Sequence, residues 1–147
     1  MFLGIIIYLM SVLLNFSPFY VEDAKLDILY AKAYQVSELL MKHPGHPYNW
    51  TFNNFNRVGL VSQPNILNLS KVDELRKICN SNNVTVNNWL LDSFGLQDNG
   101  LSVEITYLNG TSILNCFPGG ESLDTKASIK RIGVLNGLLV EVRVYVS

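Results

Sequence analysis

The sequence predicts an α+β fold: a long N-terminal helix lying on a four-stranded antiparallel sheet, with short helices between. Three observations predict it. Residues 22 to 42 carry apolar side chains at helical spacing and continue an apolar run that starts at Phe2. From Leu101 onward the pattern changes to strict alternation, broken twice by Asn-Gly, the strongest short hairpin signal. The length of 147 residues, 48% of them apolar, suits one domain with its own core.

The helix is expected in two parts. Met1 to Val21 holds no charged side chain, and its first fourteen residues are almost wholly apolar. Twenty-one helical residues would extend about 31 Å, the thickness of a hydrocarbon core. A cleaved secretory signal would need a basic start and a small-x-small site, and neither is present. A buried helix of a soluble domain would show a polar face, and residues 2 to 14 offer only Gly4, Tyr8 and Ser11. Residues 1–21 are therefore expected to be a single transmembrane anchor, with residues 22–147 an extracytoplasmic α+β domain. Ser17-Pro18 reads as a helix restart, with Ser as cap and Pro at the first helical position. Below it, Leu26, Leu29, Tyr30, Ala33, Val36 and Leu40 form an apolar stripe, with acids in the first turn and Lys42 in the last. His43-Pro44-Gly45-His46-Pro47 stops the helix.

Residues 48 to 70 are rich in Asn, Gly and Pro and read as irregular, with short apolar runs such as Val58-Gly59-Leu60-Val61. Ser70 is expected to cap a helix over Lys71 to Cys79, with Asp73 completing a capping box and Leu75 and Ile78 inward. A second short helix should cover Val86 to Phe94 and end at Gly95. Leu101 to Tyr107 and Thr111 to Phe117 form one hairpin around Asn109-Gly110; Ser128 to Val134 and Leu138 to Val146 form another around Asn136-Gly137.

Charge and motif content exclude several function classes. The net charge is -1, from 11 Lys+Arg and 12 Asp+Glu without a basic cluster, which leaves no footprint for nucleic acid. The sequence carries no nucleophile elbow, zinc-protease, P-loop or dinucleotide motif, so no catalytic residue, small-molecule substrate or cofactor is assigned. His43 and His46 could pair on a metal, but the turn-forming Pro44-Gly45 lies between them and no Cys or acid is near. Cys79 and Cys116 are either a disulfide closing a loop of roughly 37 residues, worth about 3 to 4 kcal/mol, or two unpaired buried thiols. Asn49, Asn68, Asn83 and Asn109 each begin an Asn-x-Ser/Thr triplet, an acceptor match for glycosylation. With the anchor, these features favour a location at the cell membrane with the C-terminal domain outside. Trp50 and Trp89 are expected in the core, and Glu104, Lys130 and Arg143 are candidates to protect open strand edges.

Several stretches resemble the archaeal type IV pilin-like, or pseudopilin-type, proteins of cell surfaces. They are Ala31…Leu39-Leu40 followed by His43-Pro44-Gly45-His46-Pro47-Tyr48-Asn49-Trp50, then Val58-Gly59-Leu60, then Leu67-Asn68-Leu69-Ser70-Lys71-Val72. Phe94-Gly95-Leu96 and the closing Arg131…Leu135-Asn136-Gly137-Leu138-Leu139-Val140-Glu141-Val142 complete the set. The resemblance implies a structural, non-enzymatic subunit of a pilus-like filament or of its assembly machinery. Its helix would pack with copies of itself or with other pilin-like subunits, and its sheet domain would be displayed. In such packing the small residues Gly4, Ser11, Ala24 and Ala31 would lie at helix contacts. A pilin-type signal places Lys or Arg before its Gly and an acid near the start of the mature helix. Here Leu3 precedes Gly4, and Glu22 is the first acid. The rival expectation is a permanently membrane-anchored extracellular binding or adhesion module, in which bulky replacements at those small residues would be tolerated.

Overall fold

Asn-Gly turns the chain in two different ways. Asn136 and Gly137 both take positive φ (52° and 80°) and Leu135 pairs with Leu138, a two-residue hairpin whose twist matches that of its strands. At the other turn Gly110 takes φ 88°, its N–H donates to the Tyr107 carbonyl, and the Tyr107 N–H donates to the Thr111 carbonyl. That is a three-residue loop with a bulge. The computed structural model describes residues 2–118 and 126–147, with the backbone alone for residues 15–21. In chain order its elements are α1 (Phe2–Lys42), β1 (Val61–Gln63), β2 (Ile66–Leu67), α2 (Leu69–Cys79), α3 (Val84–Ser93), β3 (Leu101–Tyr107), β4 (Ser112–Cys116), β5 (Ala127–Leu135) and β6 (Leu138–Val146).

The sheet corrects the expected four-stranded antiparallel one. It has six strands in the order β1-β2-β5-β6-β3-β4, and it is mixed because β2 runs parallel to β5. β1 and β2 are three and two residues long, too short to show a period-two pattern, and they flank Pro64-Asn65 in a segment whose composition reads as loop. Tertiary hydrogen bonds create them. The Leu60 N–H donates to the Leu40 carbonyl at 3.0 Å and the Asn65 N–H to the Met41 carbonyl at 2.8 Å, so this excursion satisfies carbonyls that the end of α1 leaves open. Asn65 passes the chain on to β5, its carbonyl accepting from the Val134 N–H.

The second correction concerns the membrane. Among the described residues no helix is long and apolar enough to cross a membrane. The apolar stretch with described side chains, Phe2 to Leu14, is thirteen residues, about 20 Å of helix against a hydrocarbon core of about 30 Å. The transmembrane anchor at residues 1–21, the membrane as partner and the single-pass cell-membrane location fall with that finding. Helical backbone continues through Ser17-Pro18 rather than restarting there, and the expected Ser17 cap lies outside the described side chains.

The lower half of α1 lies on β5 and β6. Leu29, Ala33, Val36, Ser37, Leu40 and Met41 are buried there, while Tyr30 from the expected stripe is exposed. Burying each of the larger of these side chains contributes about 1.5–3 kcal/mol. They meet Val140, Val142, Val144 and Val146, the inward-facing residues of β6. Gly133 permits the close crossing: a Cβ there would fall 2.7 Å from Met41 Cε and 2.6 Å from Leu67 Cδ1.

α2 begins one residue earlier than its expected cap. Asn68, not Ser70, is the N-cap, and its side chain accepts from the Ser70 N–H; Asp73 pairs with Arg76 instead of closing a capping box. α3 begins at Val84 because Asn83 caps it, accepting from the N–H groups of Thr85 and Val86. It ends in a Schellman arrangement: the Gly95 N–H donates to the Asp92 carbonyl and the Leu96 N–H to the Leu91 carbonyl, with Gly95 at φ 70°. Cys79 at the end of α2 and Cys116 at the end of β4 are joined in a disulfide with Cα atoms 5.2 Å apart.

Candidate functional site

One face of helix α1 changes surroundings along its length, and this makes the helix the candidate site. From Phe2 to Leu13 the large apolar side chains are between 42% and 78% exposed, around the full circumference of the helix. From Leu29 onward one stripe is buried. Gly4 and Ser11 are two turns apart and share a face, as do Ala24 and Ala31; at about 100° per residue the two pairs lie on nearly opposite sides. The four small residues therefore form two separate patches, all exposed, and not one continuous stripe. A Cβ on Gly4 would meet nothing within 4 Å. The Ser11 hydroxyl donates to the Tyr8 carbonyl of its own helix.

The lower half is held by polar contacts as well as by packing. Arg131 of β5 points into the helix–sheet interface, donates to the Ser37 hydroxyl at 3.2 Å, pairs with Glu38 and lies over the Tyr34 ring at 4.8 Å. The hydrogen bond from Lys42, followed by the charges of Lys42 and Arg131, holds the Glu38 carboxyl below the usual carboxylate range, outweighing the opposing effect of burial. At the helix's end, the Lys71 ammonium is buried and donates to the carbonyls of Pro44 (2.5 Å) and Val61 (3.2 Å) beneath the Tyr48 ring. Burial lowers its pKa. At the opposite end of the sheet, Lys32 donates to Asn99, whose amide donates to the Ser147 carbonyl. The helix thus enters the domain beside the start of β3 and ends beside the β5–β6 hairpin, and the exposed apolar half extends away from that hairpin.

The remaining sequence candidates fall elsewhere. Asn68, Asn83 and Asn109 each accept, through the side-chain oxygen, the N–H two residues on, as two helix caps and a turn. That local chemistry favours Asn-x-Ser/Thr triplets with or without glycans. Asn49 is exposed in the loop after α1. His43 and His46 flank Pro44-Gly45 on an open groove of about 330 Å³ with Asn56 and Arg57, and among the described residues no group of three or more His, Cys, Asp or Glu could hold a metal. Trp50 is buried, its ring N–H donating to the Gly59 carbonyl at 2.9 Å, but Trp89 is 58% exposed and corrects the core expectation. It lines a groove of about 440 Å³ with Phe55, Asn56, Asp92 and Ser93.

Glu104, Lys130 and Arg143 do not protect edges either, since β3, β5 and β6 are all interior. They form a charged row across the outer face: Glu141 is held below the usual carboxylate range chiefly by Lys130 and then by Arg143, and Arg143 also reaches Tyr145 and Glu104. The true edges are blunted otherwise. β1 is three residues long, and β4 carries a register irregularity at Ile105/Thr106 opposite Ile113, whose carbonyl accepts from Arg76.

Comparison with family models, with curated proteins and with solved structures finds no match to this chain. The pilin-like resemblance therefore stands on the quoted residues alone. Sequence reasoning missed Arg131, whose partners are more than 90 residues away, and Lys71, whose partners lie between 10 and 27 residues away, and it missed an apolar patch on the outer face of the sheet. Ile66 pairs with Val134 and Val134 with Leu139, giving one cross-strand row; Leu138 and Leu139 share a groove of about 680 Å³ with Tyr107 and Leu108. Ile66, Leu108, Ile132, Leu138 and Leu139 are all exposed. The exception in an otherwise alternating β6, two adjacent exposed leucines after Asn136-Gly137, was the readable sign.

Proposed function

We propose that this chain is a structural, non-enzymatic subunit of a pilin-like filament or of the machinery that assembles one, and that it self-associates through α1. One observation carries the reading: a continuous 41-residue helix whose C-terminal half is fastened to a sheet domain while its N-terminal stretch displays exposed apolar side chains. Exposed apolar surface of that extent marks an interaction site, because leaving it in water forgoes about 1.5–3 kcal/mol per large side chain. The disulfide supports a setting in which such bonds persist. The polar contacts that hold the lower half keep the domain fixed at one end of the helix, as a displayed subunit requires.

The test is the assembly state of the full-length chain, followed by light scattering and negative-stain microscopy, beside a Leu9→Glu variant. The wild type is expected to form concentration-dependent assemblies that the variant loses, while the sheet domain unfolds at the same denaturant concentration in the two proteins. A wild type that stays monomeric at every accessible concentration overturns the reading. A binding module is the second reading, and the exposed Trp89 beside Phe55, Asn56 and Asp92 is the observation that favours it. It predicts a monomer that retains a ligand on that groove, lost on Trp89→Ala.

A further inference from the structure

The outer face of the sheet has two chemically distinct zones. Lys130, Glu141, Arg143 and Glu104 form a charged row with satisfied partners, the ordinary solution for a sheet face in water. Toward the hairpin ends the face turns apolar: Ile66, Val134 and Leu139 lie in one cross-strand row, flanked by Ile132 and continued past the end of β3 by exposed Leu108, which lines a groove with Leu139. Ile132, directly opposite Glu141, is where the character changes. A half-polar, half-apolar outer face is what an interface at one end of a domain leaves in the isolated chain.

We infer that this apolar end receives the Phe2–Leu14 stretch of a second copy, so that subunits join head to tail. Three observations select that occupant. No charged side chain lines the groove, and none occurs between Met1 and Val21, so neither surface would bury an unpaired charge in meeting the other. The dimensions allow it: the row crosses three strands at about 4.8 Å, about 10 Å, and Leu108 extends it beyond β6, so two to three turns of the helix from Phe2 to Leu14 would lie along it. The helix enters the domain at the Asn99 and Ser147 end and the apolar patch lies at the hairpin end, so a chain's own tail extends away from its own patch. The contact is then between different surfaces of two copies, a heterologous interface, which propagates into an open filament when its rotation does not close. Blunted strand edges fit the same arrangement, because growth would proceed by helix on sheet and not by strand addition.

This inference rests on the self-association proposed above and adds its geometry. The experiment places a photo-activated benzophenone amino acid at position 139 of the full-length chain. The chain is mixed with an isotope-labelled unmodified copy, irradiated, and the crosslinked peptides are mapped by mass spectrometry. Crosslinks from position 139 to residues 2–14 of the labelled copy are expected, and Leu139→Lys should cut assembly at least tenfold while Thr106→Lys, outside the patch on β3, leaves it unchanged. Assemblies that persist in Leu139→Lys, or crosslinks from 139 to the labelled copy's strands, overturn the head-to-tail contact while leaving self-association standing. Absence of any assembly by the unmodified chain overturns both.

Discussion

Two parts of one helix, joined by continuous helical backbone, have opposite relations to the rest of the molecule. Below Leu29 the helix earns its place by burying a stripe against β5 and β6, with Arg131, Lys71 and the Leu60 and Asn65 N–H groups fixing its position. From Phe2 to Leu14 it buries almost nothing, although its side chains are more apolar than those of the lower part. Hydrophobicity alone therefore does not tell which half belongs to the core. Placement does: a residue is buried when the fold brings a surface to it, and the nine-residue strands β5 and β6 span about 30 Å, the length of only about twenty of the 41 helical residues, at about 3.3 Å per strand residue against 1.5 Å per helical residue.

The comparison breaks most visibly under truncation of equal chemistry at unequal places. Leu40→Ala removes a fully buried side chain beside the Gly133 crossing and is expected to lower unfolding stability by about 2–5 kcal/mol. Leu9→Ala removes a 53% exposed side chain and should leave the domain's denaturation midpoint unchanged, showing itself only in assembly. Urea titrations followed by tryptophan fluorescence separate the two, since Trp50 is buried in the same core. Equal destabilisation by both variants would mean that the upper stretch packs on its own domain.

A smaller effect tests how the end of the lower half is fixed. Lys71→Met keeps the length of the buried stem but withdraws the donors that serve Pro44 and Val61, so two carbonyls lose a partner. A loss of about 1–3 kcal/mol is expected, with assembly through the upper half unchanged. The sign of the pH effect follows from burial. Because the ammonium's pKa is depressed in the fold, the unfolded chain binds more protons in the window between the folded value and 10.5, and wild-type stability relative to Lys71→Met should rise as pH increases through that window.

Most of the fold was legible where a single element carries its own signal. The Asn-Gly hairpins, the alternation of β3 and β6 and the stop at His43-Pro44-Gly45 are all local. What escaped was set by contacts between distant residues. β1 and β2 exist because they complete the carbonyls at the end of α1, and nothing within Val61 to Leu67 alone shows that. Glu104, Lys130 and Arg143 were legible as outward charges but not as interior ones, because strand order is a property of the whole sheet. The four Asn-x-Ser/Thr triplets were legible as acceptor matches, but not the local roles of Asn68, Asn83 and Asn109 as two helix caps and a turn. The apolar N-terminal run was legible as apolar; its thirteen described residues were read together with the weaker stretch after Leu14 as a membrane span.

Acid offers the mildest way to sharpen the comparison, because the titrating contacts lie on one side of it. Glu38, Glu74 and Glu141 are each held below the ordinary carboxylate value of 4.5, first by Lys42, Lys77 and Lys130 respectively. A depressed carboxylate stabilises the fold above its unfolded pKa and loses that contribution as pH falls through its folded pKa. Domain stability should therefore be flat from pH 8 to about 5 and decline below about 4.5, and Glu38→Gln should flatten part of the decline. Between Phe2 and Leu14 there is no carboxylate, imidazole, amine or guanidinium side chain. Contacts made by that stretch carry no acid-labile group of their own. Assembly measured at pH 5 and pH 7.5, where the domain is equally folded, is expected to be the same. A difference between the two would assign the interface to the charged zone of the sheet and not to the apolar half of the helix.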